Sequence, residues 1–242
     1  MDLQPHVLAA VVAVSIVQSL FGVGVLLFGT PLLLLAGHAF VDVLLVLLPV
    51  SIGISLSQAV AERDCIDRPL VGRTLKYAVP MVIVFLAAAL TLRARLGLVV
   101  AALLLLYAIK GIWPPLASAL NRLARWDRLW LVATGAVHGL TNLGGSMLTL
   151  LVHEKGWPKA MSRATIAACY LVFATFQLAL LLLKQPGAAG VVASNAVYVA
   201  SGLATYAAAG RVIDRRVNEV AYVRAFSALL LASALLIAYR SI

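Results

Sequence analysis

Charged residues divide the chain into long stretches that contain none. These runs cover residues 3–41, 43–61, 77–92, 96–109, 129–153, 164–183, 185–210 and 225–239. One helical membrane crossing takes roughly 20 apolar residues, and most of the runs, with their flanks, match one crossing. Barrel strands would alternate apolar and polar positions over about ten residues, which these runs do not do. The pattern predicts an all-α integral membrane protein with eight hydrophobic segments.

Two of the segments are interrupted. The first contains "QSLFGVGVLLFGTPLLLLAGHAF" (residues 18–40), and the fifth contains "HGLTNLGGSMLTLLVHEKGWP" (residues 138–158). Each has an apolar half, a Gly-containing break, a second apolar half, a Gly-ended turn and then another apolar helix. A shift of 119 residues brings Gly37 onto Gly156, Gln58 onto Gln177 and the Gly24 region onto Gly144. This predicts two repeats, residues 1–128 and 129–242, within one membrane domain. Internal repeats of this kind recur in secondary transporters.

Composition agrees. Hydrophobic residues make up 63% of the 242 and charged residues 12%, about half the charged share of a soluble domain. The net charge is +10, but the basic residues sit in loops between apolar segments. They point to a membrane surface and not to nucleic acid. Their distribution also bears on topology. If all eight segments cross, ten Lys and Arg fall on one side and nine on the other, against the expected bias toward a positive cytoplasmic face. If segments one and five are Gly-broken re-entrant hairpins, six segments cross. Fifteen basic residues then face four, namely Arg93, Arg95, Lys184 and Arg240. The hairpin reading gives the two halves inverted topology and puts both termini on the extracytoplasmic side. Residues 7–20 and 25–36 would each be about half a membrane thick at 1.5 Å per residue.

The start, "MDLQPHVLAAVVAV", has no positive n-region, and its apolar run is too long for a signal peptide, so it reads as mature protein. Cys65 and Cys169 do not make a disulfide framework. His6, His38, His138 and His153 form no H-x-x-x-H pair, and there is no phosphate-binding loop of the ATPase type. No catalytic residue, metal site or cofactor is expected.

The candidate chemistry lies at the two breaks. A broken helix leaves backbone N–H and C=O groups that protein, water or a ligand must satisfy. A returning half-helix presents free N–H groups and a partial positive charge, and glycine allows close approach. "GGSMLTLLV" therefore reads as half of a midplane anion cradle that needs no buried Lys or Arg. The residues concerned are Ser19, Gly22 and Gly24 in the first break, and His138, Thr141, Asn142, Gly144, Gly145 and Ser146 in the second. Gln58 and Gln177 stand at matching places, and Ser51 shares a helix face with Ser55. Each also has a plainer reading. Glycines and serines let membrane helices pack closely, and glutamines and histidines bond between helices. Thr141 and Asn142 cap broken ends, and serines bond back to their own helix. Asp42 reads as a helix-start residue.

At these breaks the chain resembles the TauE/SafE sulfite exporter family of the toluene-sulfonate uptake permease group. That family carries a motif of the form G-x-x-G-x-G-G-G before an apolar run, often with a Pro, once in each half. The second copy here is "GLTNLGGSMLTLL" and the first "FGVGVLLFGTPLLLL", in which Val25 and Leu26 replace glycines. The closing "SGLATYAAAGRVIDRRVNEVAYVRAFSALLLASALLIAY" resembles the family's last two helices. The resemblance implies a multi-pass protein of the bacterial inner membrane. It would be a secondary transporter that exports small sulfur-containing anions such as sulfite or organosulfonates. An anion channel and a non-transporting membrane assembly protein are the alternatives, and homo-oligomerisation is left open.

Overall fold

The computed structural model describes residues 4–92 and 113–212, with single positions at 102, 105, 106, 109, 231, 235 and 239. The expected fourth and eighth segments, and the family-like stretch beyond residue 212, lie outside the described residues. Every described element is helical. Helix α1 (Pro5–Phe21) is followed by α2 (Val25–Leu35) and the long α3 (Phe40–Ala61). After a 3-10 turn (Arg63–Cys65), α4 (Arg68–Arg73) runs through a π turn (Thr74–Ala78) into α5 (Val79–Leu92). Pro80 lacks the N–H that would close the preceding turn, and a π turn accommodates that loss. Then come α6 (Pro114–Ala124), α7 (Asp127–Thr141), α8 (Gly145–Glu154) and α9 (Lys159–Lys184). The last described helices are α10 (Ala188–Ser194) and α11 (Ala196–Val212). Helix α6 mixes Arg122 with Leu120 and Leu123 and is flanked by exposed Trp113 and Trp126, the composition of a helix lying along a membrane interface.

Among the described residues, Phe40–Ala61, Arg68–Thr91 and Lys159–Lys184 are long and apolar enough to cross a membrane. Helices α10 and α11 together match the length and apolarity of a crossing but are bent by 47° at the break between them. The bend is at Asn195, whose Nδ2 donates to Leu45 O of α3 at 3.2 Å. Leu45 O is the carbonyl that Pro49, lacking an N–H, leaves without its helical donor. A side chain from the other half of the chain thus satisfies a backbone group that a membrane interior could not.

Helices α3 and α9 pack along each other at the centre. Helix α1 lies against α11, and α7 lies against α5. The α7 seam is bare backbone: a Cβ on Gly135 would overlap the Ala78 carbonyl, and one on Gly139 would stand 2.6 Å from Val82 O. The α1 seam uses Ser15 and Ser19, which face Gly202 and Gly210 of α11. Both are small-xxx-small stripes of the kind that let membrane helices approach.

Each broken helix folds back on itself. His6 Nε2 lies 2.9 Å from His38 Nε2, which brings the start of α1 beside the exit of α2. Lys155 Nζ lies 2.7 Å from both carboxylate oxygens of Asp127, which ties the end of α8 to the start of α7. Two ion pairs then fix where each hairpin opens. Glu62, after α3, pairs with Arg163 near the start of α9 at 3.9 Å, and Arg73 pairs with Asp127 at 3.7 Å. The second hairpin therefore opens where α3 ends, and the first opens where α3 begins. At 17 and 15 residues, the outgoing arms α1 and α7 extend about 25 and 22 Å, and at 11 and 10 residues the returning arms α2 and α8 extend about 16 and 15 Å, half of a membrane core about 30 Å thick.

Candidate functional site

The first tip is built by Gly22, Gly24 and Gln18. Gly22 ends α1 with φ +79°, a left-handed conformation that a Cβ disfavours, and its N–H closes on Gln18 O at 2.8 Å. The Gln18 side chain then accepts from Val25 N at 2.9 Å, so one residue caps the end of α1 and the start of α2. At Gly24 the returning chain crosses the α1 backbone; a Cβ there would be 2.7 Å from Gln18 N. Across from Gly22 stand the stem of Arg163 and the amide of Gln58. Gln58 Nε2 donates to Arg163 O at 3.4 Å.

The second tip repeats this plan with different residues. Asn142 takes the left-handed conformation (φ 64°), and its N–H closes on His138 O at 2.8 Å. The tips therefore match at a shift of 120, which sets Gln18 opposite His138. Gly37 and Gly156, both with positive φ, keep the shift of 119 because α8 has 10 residues and α2 has 11. Asn142 Nδ2 donates to Thr30 Oγ1 of α2 at 2.9 Å, which joins the two hairpins. Thr141 Oγ1 bonds back to Val137 O and accepts from Leu143 N, and Ser146 Oγ donates to Leu143 O. These hydroxyls serve the break itself, as the capping reading expects. The two glycines are filled directions. A Cβ on Gly144 would be 2.5 Å from Thr134 O, and one on Gly145 would overlap the Tyr170 hydroxyl. Gln177 Nε2 donates to His138 O at 3.4 Å, and the His138 ring lies against Phe173 with centroids 4.7 Å apart.

The expected residues thus gather into two groups. Gly22 meets Gln58, with Gly24 at the same tip; His138 meets Gln177, with Thr141, Asn142, Gly144, Gly145 and Ser146 at the same tip. The anchors Arg163 and Gln177 are fourteen positions apart on α9, about 21 Å along a helix. The two tips overlap, joined where Asn142 meets Thr30 of α2. Ser19 faces Gly210 in the α1 seam. Ser51 and Ser55 are fully buried on α3 and bond to neither their own helix nor any other described residue.

Several buried acceptors and donors near the tips have no partner among the described residues. They include Asn142 Oδ1 and Gln58 Oε1, whereas the buried His138 ring faces the Gln177 side chain. Buried polar groups are ordinarily paired. The sequence reading missed Arg163, which it counted as a loop charge. The residue is 7% exposed and lies against the first tip. Gln18 was also missed; its signal is its place one helical turn before the left-handed residue.

A family model described as "Sulfite exporter TauE/SafE" matches residues 7–237. No curated protein and no solved structure matches the chain.

Proposed function

Because the chain belongs to the TauE/SafE sulfite exporter family, a multi-pass membrane transporter family, we propose that it is a secondary carrier exporting small sulfur oxyanions or organosulfonates across a bacterial inner membrane. The observation that carries this reading is the pair of folded-back hairpins that open at opposite ends of the α3–α9 pair, each with buried polar groups at its tip. Irregular backbone at membrane depth is tolerated where it lines a cavity or is buried in protein, and inverted hairpins supply two such places. The packing runs in matched sets, with α1 on α11 as α7 is on α5. That supports two inverted repeats, and rocking one against the other would expose the anion to each side in turn.

Proteoliposomes loaded with unlabelled sulfite should accumulate external labelled sulfite by counterflow, with a rate that saturates. Flux that rises linearly and shows no counterflow would point to a channel instead. No anion flux through folded protein would leave the non-transporting assembly reading.

The orientation has its own check. The basic residues around the ends of α3, α8 and the starts of α4 and α9 make that face cytoplasmic by the positive-inside rule. Cys65 is exposed on it, whereas Cys169 is buried. A membrane-impermeant maleimide should label the protein through Cys65 in inverted vesicles and leave it unlabelled in intact cells. The reverse pattern would overturn the orientation.

A further inference from the structure

The least satisfied charged group in the described part of the molecule is beside the first tip. Arg163 is 7% exposed, and its Nε has no hydrogen-bond partner among the described residues. Its ion pair with Glu62 is loose: Nη2 to Oε1 is 3.9 Å, whereas a charge-assisted N–H···O bond closes to about 2.7–2.9 Å. Glu62 Oε2 and Gln58 Oε1 are likewise unpartnered there. A buried charge held this loosely loses much of the Coulombic return that would offset its desolvation. Helix geometry gives the pair its place: Glu62 follows the last turn of α3 and Arg163 opens the second turn of α9, both on the basic face. Gly22, with no side chain of its own, lets the Arg163 stem and Gln58 Nε2 press directly against the tip backbone.

We propose that Arg163 and Gln58 form an oxyanion-capture site on the basic face at the tip of the first hairpin, with the Glu62 carboxylate as its resident competitor. The planar guanidinium fork matches two oxygens of a sulfite, sulfate or sulfonate group. Gln58 Nε2, now on a 3.4 Å bond to a backbone carbonyl, can turn to a third. An arriving oxyanion displaces Glu62 toward solvent, which its partly exposed side chain permits. Departure of the anion lets Glu62 return and close the site. The site has no counterpart in the second half, because the shift of 119 that aligns Gln58 with Gln177 sets Leu44 opposite Arg163 and Leu181 opposite Glu62. The inference rests on the transport reading above for the identity of the anion, and on the geometry for its location.

The test is titration of the purified full-length protein with sulfite and with sulfate, for wild type, Glu62→Gln, Arg163→Lys and the double variant Glu62→Gln/Arg163→Gln. Removing the competitor should tighten binding about three- to tenfold. The double variant leaves no orphaned buried charge, so it should fold, and its binding should weaken by about thirtyfold or more. Arg163→Lys keeps the charge and loses the fork, so it should fall between. Unchanged or weaker binding in Glu62→Gln, or wild-type binding in the double variant, would overturn the site. Counterflow separates this from the function: sulfite flux in wild type with the site overturned leaves the carrier standing. Oxyanion binding with the expected variant pattern but no flux keeps the site and removes the carrier. No binding by wild type or Glu62→Gln overturns the site too.

Discussion

Gly135→Leu should lower the stability of the purified protein by about 3 kcal/mol, the upper part of the range for overpacked cores. For a chain of this size that is a drop of about 6–12 °C in melting temperature. The reason is the partner. A Cβ at position 135 would overlap the Ala78 carbonyl, which is backbone in the π turn that leads into α5. A flexible side chain could swing away; a carbonyl held between α4 and α5 cannot move without shifting α5 against α7. The next turn offers no relief, because Gly139 is also pressed against α5. Gly190→Ala is the contrast. Nothing lies within 4 Å of a Cβ there and the backbone is not left-handed, so alanine should stabilise by about 0.4–1 kcal/mol through the unfolded chain. Thermal unfolding followed in detergent reads both. A Gly135→Leu protein melting within 2 °C of wild type, by the same roughly 2–4 °C per kcal/mol scale, would show that the α5–α7 seam is looser than the structure has it.

What could be read in the sequence was whatever depends on local pattern. Charge-free runs define apolar helices wherever they occur, so α3, α9 and the bent α10–α11 span lie close to their expected positions. Helix α4–α5 starts earlier than its apolar run, at Arg68, because Asp67 caps it by accepting from Leu70 N. The breaks were legible because Gly22 and the Asn142–Gly145 stretch interrupt long apolar runs. The hairpins were legible only through a charge count, since folding back moves Lys155, Lys159 and Arg163 to the other side of the ledger. Partnerships across the chain were not legible. Asn195 answers the Leu45 carbonyl that Pro49 strands, from 150 positions away, and nothing in either neighbourhood names the other. The Asn142–Thr30 bond spans 112 positions. The burial of Arg163 depends on where the tip of α1 arrives, which follows from arm length and not from the residues around position 163. The one-residue offset between the tip register and the Gly37–Gly156 register came from a shorter α8, and a single shift applied to the whole repeat hides it.

The Asn142–Thr30 bond joins the two hairpins, and Asn142 has two separable tasks. Its backbone is left-handed, which asparagine and glycine tolerate and a β-branched residue does not. Its amide donates to Thr30 and leaves Oδ1 without a described partner. Asn142→Val should lose both, at a cost of about 1–2 kcal/mol for the conformation and about 1–3 kcal/mol for the buried bond with Thr30 orphaned. Little folded protein should be recovered. Asn142→Gly keeps the conformation and loses only the amide, so it should fold with a penalty near 1 kcal/mol. In a cycle with Thr30→Val, the coupling between the two positions should be about 1 kcal/mol; additive penalties would mean that the bond contributes nothing. The informative measurement is then sulfite counterflow through Asn142→Gly. If the Asn142 amide turns from Thr30 to donate to the anion, flux should fall at least about tenfold, which is roughly 1.4 kcal/mol, the scale of one buried hydrogen bond. Wild-type flux through a well-folded Asn142→Gly protein would instead confine Asn142 to shaping the break. The polar groups that handle the anion would then have to be sought at the first tip, around Gln58 and Arg163.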